Sequence, residues 1–179
     1  MIRRSVQVVA AILSCAGLLA IGQPRASAAS PAPSACAARE MHQFDFWIGT
    51  WDVADQSGGP AGTNTIKPVV EGCALHEAWA APGEIGESFS IYDPTTKRWH
   101  QTWVDNKAHL WMIDGGMVGA SMVMTRTTPA KANPKSTVLH RWTWTPSDKD
   151  HVRQLYDVSA DGGKTWKILF DGRYVRRKG

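Results

Sequence analysis

The side chain best placed for chemistry in this 179-residue chain is Glu77. It stands two residues from Leu75 and two from Trp79, so in an extended segment all three share one face. A carboxyl against an apolar wall has its ionised form disfavoured, which moves its pKa toward the working range of a general acid or base. Gln101, His140 and Tyr156 could orient a small substrate beside it. The structural alternative is a salt bridge from Glu77 across the interior to Arg141 or Arg153. Other chemistries lack their residues. His76-Glu77 begins like the helix-borne zinc motif H-E-x-x-H, but Ala80 stands where the second His is required. No Gly-x-Ser-x-Gly occurs, so a serine nucleophile elbow is not indicated. His42, His100, His109, His140 and His151 form neither an i,i+4 pair on a helix nor a His-x-His pair on a strand, and no metal site is expected.

These side chains can meet only if the segments that carry them are neighbours in a sheet. Turn signals recur at short intervals from Gly58-Gly59-Pro60 to Asp171-Gly172, passing through Asp93-Pro94, Asp114-Gly115-Gly116 and Asp161-Gly162-Gly163. Between them lie short runs of Val, Ile, Thr and aromatic residues, the pattern of sequential hairpins. Strands are predicted over 49–54, 63–70, 74–81, 87–92, 98–104, 108–113, 117–127, 136–145, 151–158 and 165–176. The one helical stretch, 35–46, has Ser34 as a possible cap and Ala38, Met41, Phe44 and Phe46 on one side. About ten antiparallel strands in up-and-down order leave edges that closure into a barrel would remove. The expected fold is therefore an all-β, antiparallel up-and-down β-barrel with a short N-terminal helix.

Strand parity then predicts what lines the interior. Trp99, Gln101 and Trp103 alternate on one face, as do Leu75, Glu77 and Trp79, and Met122 and Met124. His140, Trp142 and Trp144 form a further row, and Val152, Gln154 and Tyr156 another. Phe89 and Ile91 are expected to face inward by the same reasoning, with Ser88 and Ser90 as the polar outer face. So many polar groups among bulky aromatics suit a lined cavity better than a packed core. The expected ligand-binding set is Trp79, Trp99, Gln101, Trp103, His140, Trp142, Gln154 and Tyr156.

A resemblance emerges at Phe44-Asp45-Phe46-Trp47-Ile48-Gly49-Thr50-Trp51. Gly49-x-Trp51 on the first strand after a short helix resembles the opening motif of lipocalin-like (calycin) barrels, which implies that Trp51 closes one barrel end beneath an Arg from the last strand. Arg173 and Arg176 are the candidates. With Glu77-x-Trp79, Trp99-His100-Gln101-x-Trp103, His140-Arg141-Trp142-Thr143-Trp144 and Phe170-Asp171-Gly172-x-Tyr174, the chain is similar to uncharacterised exported bacterial lipocalin-like proteins, a domain of unknown function. The resemblance implies a fold and a cavity and supplies no catalytic residues. Nitrobindins, haem-binding barrels of the same broad shape, resemble it in architecture only; His140 or His151 would be the haem ligand, but no nitrobindin motif matches, and no cofactor is expected.

Residues 1–28 read as a cleaved signal peptide: a basic start at Arg3-Arg4, an apolar run from Val6 to Ile21, and Ala26-Ser27-Ala28 as a small-x-small cleavage site. The apolar run is too short for a comfortable transmembrane span. Residues 29–39 read as a linker, and 40–177 as the barrel domain. Export makes a Cys36–Cys73 disulfide the expected state of the two remaining cysteines. Removing Arg3, Arg4 and Arg25 with the leader reduces the formal charge from +4 to +1. A chain so nearly neutral, without a basic stripe, is not expected to bind nucleic acid. Ser159-x-Asp161-x-Gly163-x-Thr165-Trp166 matches the Asp-box of sialidase-like propellers, but one copy builds no propeller, and it is expected to stabilise a hairpin. The leading expectation is an exported (periplasmic or secreted) barrel binding a small hydrophobic or planar molecule. The alternatives are a small-metabolite isomerase, dehydratase or hydrolase using Glu77, and a structural envelope protein whose barrel is filled by its own side chains.

Overall fold

A computed structural model describes residues 36–178; the predicted leader and the cap residue Ser34 lie outside the described residues. Ten strands follow in sequence: β1 (Gly49–Ala54), β2 (Pro60–Val69), β3 (Ala74–Ala81), β4 (Glu84–Asp93), β5 (Arg98–Asp105), β6 (Leu110–Val118), β7 (Ser121–Pro129), β8 (Thr137–Asp148), β9 (His151–Ser159) and β10 (Lys167–Arg176). Every strand pairs antiparallel with its sequence neighbours, and β1 pairs with β10. The sheet is therefore a closed up-and-down barrel with no free edge, consistent with a lipocalin-like fold.

The predicted helical stretch is two 3-10 turns, Arg39–His42 and Asp45–Trp47. A period of three residues eclipses positions i and i+3, and here that aligns Phe44 with Trp47. The two rings stack with centroids 4.9 Å apart, both fully buried, and pack against Trp144. An α-helical period would splay them. The pair plugs one end of the barrel. Behind it lies Trp51, whose indole N–H donates to the Trp47 carbonyl at 2.9 Å. Of the two candidate arginines, Arg176 covers Trp51, with its guanidinium carbon 4.1 Å from the ring centroid and Nη1 donating to the Ile48 carbonyl at 2.6 Å. Arg173 points outward. A Cys36–Cys73 disulfide ties the chain ahead of the plug to the β2–β3 corner, with Cα atoms 4.9 Å apart and a sequence separation of 37. In the chain-entropy account a loop of that size contributes about 4 kcal/mol.

Two expectations about the strands are corrected. Asp114-Gly115-Gly116 is not a turn; β6 runs through it to Val118. Gly115 serves the sheet itself, since a Cβ there would lie 1.9 Å from the Val123 carbonyl oxygen of β7. Asp114 faces out and pairs with Arg98. The second correction concerns β4, where Phe89 and Ile91 are exposed while Ser88 and Ser90 are buried. The register explains the inversion: Ser88 lies beside Glu77 of β3 and Trp103 of β5, and Ser90 beside Gln101. Those neighbours leave room only for small side chains and require hydroxyl partners. The other rows face inward as expected, with Leu75, Glu77, Trp79, Trp99, Gln101, Met122, Met124, Trp142, Trp144 and Val152 all buried.

Candidate ligand-binding cavity

Above the plug the interior opens into a cavity of about 150 Å³. Two aromatic groups flank it. On the side of β5, β6, β8 and β9 the rings form a continuous wall: Trp103 stacks on Trp111 at 6.3 Å, Trp111 meets Trp142 at 5.4 Å, and Trp142 stacks on Tyr156 at 4.4 Å and 6°. Across from it, Trp79 of β3 meets Phe170 of β10 edge-on at 6.2 Å. Glycines make this packing possible. A Cβ on Gly86 would lie 2.1 Å from the Trp103 ring, and one on Gly62 2.8 Å from Trp79. The mouth is rimmed by Glu84 and by the β5–β6 turn, where Asp105 accepts hydrogen bonds from the Trp103 indole N–H, the Lys107 and His109 backbone N–H groups, and shares one with the His109 ring. Burial opposes its charge, but these donors hold the Asp105 carboxyl well below the usual carboxylate range. Trp103 is thereby fixed in orientation.

The polar end of the cavity is built on Glu77. Asn64 Nδ2 donates to its Oε1 at 2.7 Å and the Ser88 hydroxyl to its Oε2 at 2.5 Å. Burial pushes the carboxyl up to about 7, against the pull of those two hydrogen bonds. Its expected partners Arg141 and Arg153 lie elsewhere: on the outer surface they pair with Asp157 and Asp171 at 2.6 and 2.7 Å. Inward parity excludes them because odd-numbered residues of β8 and β9 lie on the outer face of the barrel. Tyr174, also a lining residue, donates to Gln154 Oε1 and accepts from Asn64 Nδ2 at 3.3 Å. Burial and the neighbouring Glu77 raise the Tyr174 phenol well above its ordinary value, so it stays neutral. Gln101 donates to Ser90 at 3.0 Å.

The structure brings Glu77, Trp79, Gln101, Trp103, Trp142, Gln154 and Tyr156 together around one cavity. It places two predicted residues outside its lining. Trp99 is buried nearer the plug, where its indole N–H donates to Gln43 at 3.2 Å and its ring packs on Phe44. His140 stands behind Tyr156, sharing hydrogen bonds with the Tyr156 hydroxyl at 2.8 Å and the Thr128 hydroxyl at 2.9 Å. Burial, then the nearby Arg126 charge, lowers its pKa. Both ring nitrogens are engaged. His151 is exposed and paired with Asp148. Among the described residues no group of three or more His, Cys, Asp or Glu side chains is placed to hold a metal ion.

Trp111, Ile113, Phe170 and Tyr174 also line the cavity and were not among the expected site residues. The alternation Trp111-x-Ile113 and Phe170-x-Gly172-x-Tyr174 was the available signal. The Asp-box lies apart, in the β9–β10 hairpin. Asp161 accepts from the Ser159 and Thr165 hydroxyls and the Lys164 and Thr165 backbone N–H groups, and the Trp166 indole N–H closes the loop on the Gly163 carbonyl. The chain matches no family model and no curated protein sequence.

Proposed function

We propose that the protein is an exported barrel that binds a small, planar, largely apolar molecule in this cavity, in the manner implied by its resemblance to exported bacterial lipocalin-like proteins. One observation carries the reading: a cavity between two aromatic groups that ends on a buried, hydrogen-bonded carboxyl. A barrel meant only to be solid would fill that volume, since each void of this kind costs stability. Its size, about 150 Å³, suits one six-membered ring with a polar substituent. Flat indole walls supply stacking area, and Gln101, Gln154 and Tyr174 supply the few polar contacts that set orientation. Export is supported by the signal-peptide pattern of residues 1–28 and by the Cys36–Cys73 disulfide, which suits an oxidising compartment.

Titration of tryptophan fluorescence with a panel of single-ring compounds tests the proposal. A member of the panel should quench, and Trp103→Ala should weaken its binding about tenfold while circular dichroism stays native. Affinity unchanged in Trp103→Ala, or no quenching by any member, would count against it. A second reading is favoured by Glu77: a carboxyl that titrates near 7 at the inner end of a cavity suits general acid or base catalysis on the bound molecule.

A further inference from the structure

The ring-binding reading leaves one cation unexplained. Arg126 lies on β7 at the same parity as the buried Met122 and Met124, two positions nearer the mouth. It is directly opposite His140 in the β7–β8 ladder. Its guanidinium donates to the carbonyl of Leu110, the residue before Trp111, at 3.2 Å. It therefore stands at the rim of the aromatic wall, and its charge acts on both His140 and Tyr156.

Among the described residues no carboxylate pairs with it. The acidic groups around the cavity are otherwise committed. Glu84 is bound to Lys107 at 2.6 Å, Asp105 is taken up by its own turn, and Glu77 sits at the inner end within its own hydrogen bonds. On the outer face, Arg141 and Arg153 each meet an aspartate through two hydrogen bonds. Arg126 has one carbonyl. A guanidinium presents five donors in a planar fork that matches a carboxylate, and most of that fork is left over.

Resting on the ring-binding proposal, we infer that the ligand is a planar single-ring acid whose ring lies against the Trp111–Trp142–Tyr156 wall and whose carboxylate is held by Arg126 at the mouth. The wall and the cation adjoin at the rim: Trp111 and Tyr156 line the cavity, while Arg126, outside that lining, is bonded to the Leu110 carbonyl next to Trp111 and its charge acts on the Tyr156 phenol. A neutral analogue would leave the guanidinium without its partner.

Benzoate, benzamide and toluene distinguish the two levels of the claim. They share the ring and differ in the group that Arg126 would meet. Calorimetric titration of the purified protein near neutral pH should give benzoate a ten- to hundredfold advantage over benzamide, the range expected for a hydrogen-bonded charge pair. Arg126→Gln should abolish that advantage and leave benzamide binding within about twofold, whereas Arg126→Lys should retain part of it. Equal affinity of the native protein for benzoate and benzamide would overturn the acid inference and leave the cavity reading intact. A benzoate preference that persists in Arg126→Gln would overturn it as well. If none of the three compounds binds, the cavity reading fails and takes this inference with it.

Discussion

Replacing Glu77 by Gln should make the protein more stable in mildly alkaline solution while changing little in acid. The folded carboxyl titrates near 7 and the unfolded one near the ordinary 4.5. Between those values the folded state holds the proton more tightly, so folding is favoured by protonation. The contribution is fully present below about 4.5 and is lost as pH rises through about 7. Two and a half pH decades correspond to about 3 kcal/mol, and Glu77 is buried, so solvent does not screen the effect away. Gln carries no charge to desolvate. It can keep the Ser88 bond, and its amide can reach the Asn64 Oδ1, a buried acceptor with no donor in the native arrangement. For a domain of this size about 3 kcal/mol is a rise of roughly 6–12 °C in midpoint. Thermal and urea unfolding of both proteins at pH 5 and pH 8, with the disulfide intact, measures it. His140, whose pKa is lowered on folding, contributes in the opposite sense as pH rises, but it is common to both proteins and cancels in the difference. A gap between variant and native protein that is the same at both pH values would refute the reasoning.

The other expectations concern the cavity's shape and chemistry. Gly86→Ala should force the Trp103 indole aside, because the new methyl would overlap it at 2.1 Å; overpacking of this kind costs about 1–3 kcal/mol. The near-ultraviolet dichroism of Trp103 should change with it, and an unaltered spectrum together with an unaltered midpoint would show that the wall has slack. If Glu77 is an acid or base, turnover of a substrate found for the protein should fall at least a hundredfold in Glu77→Gln; full activity in that variant would remove Glu77 from the chemistry.

Much of the barrel could be read from turn residues and alternation, and the reasons for the exceptions are local. Rows such as Trp99-x-Gln101-x-Trp103 declare their face because a Trp cannot be left in water cheaply. On β4 the rule misled, since it assumes that the more apolar face points inward. Here the interior contains Glu77 and Gln101, which need hydroxyls, and two indoles that need space, so Gly86, Ser88 and Ser90 face in and Phe89 and Ile91 are displaced to the surface. Gly86, at the same parity as both serines, was the clue. The partner of Glu77 was equally out of reach of sequence reasoning: Asn64 lies 13 residues away, and only the β2–β3 register makes Ile66 and not Asn64 its direct neighbour, with the amide reaching diagonally. The short N-terminal helix was legible from the spacing of Ala38, Met41, Phe44 and Phe46, but its 3-10 period was not, because the stacking of Phe44 on Trp47 selects it.

Both ends of the described chain emerge beside the plug. Cys36 is stapled to the β2–β3 corner, and Arg176 and Arg177 are bound to the start of β1 through the Ile48 carbonyl and Asp52. The mouth, at the Glu84 and Asp105 turns, is at the other end. A surface, label or fused partner attached through either terminus therefore leaves the mouth unobstructed. The molecule can be immobilised or strung into a chain without touching its cavity, whereas attachment through Lys107 would place the linker across the opening.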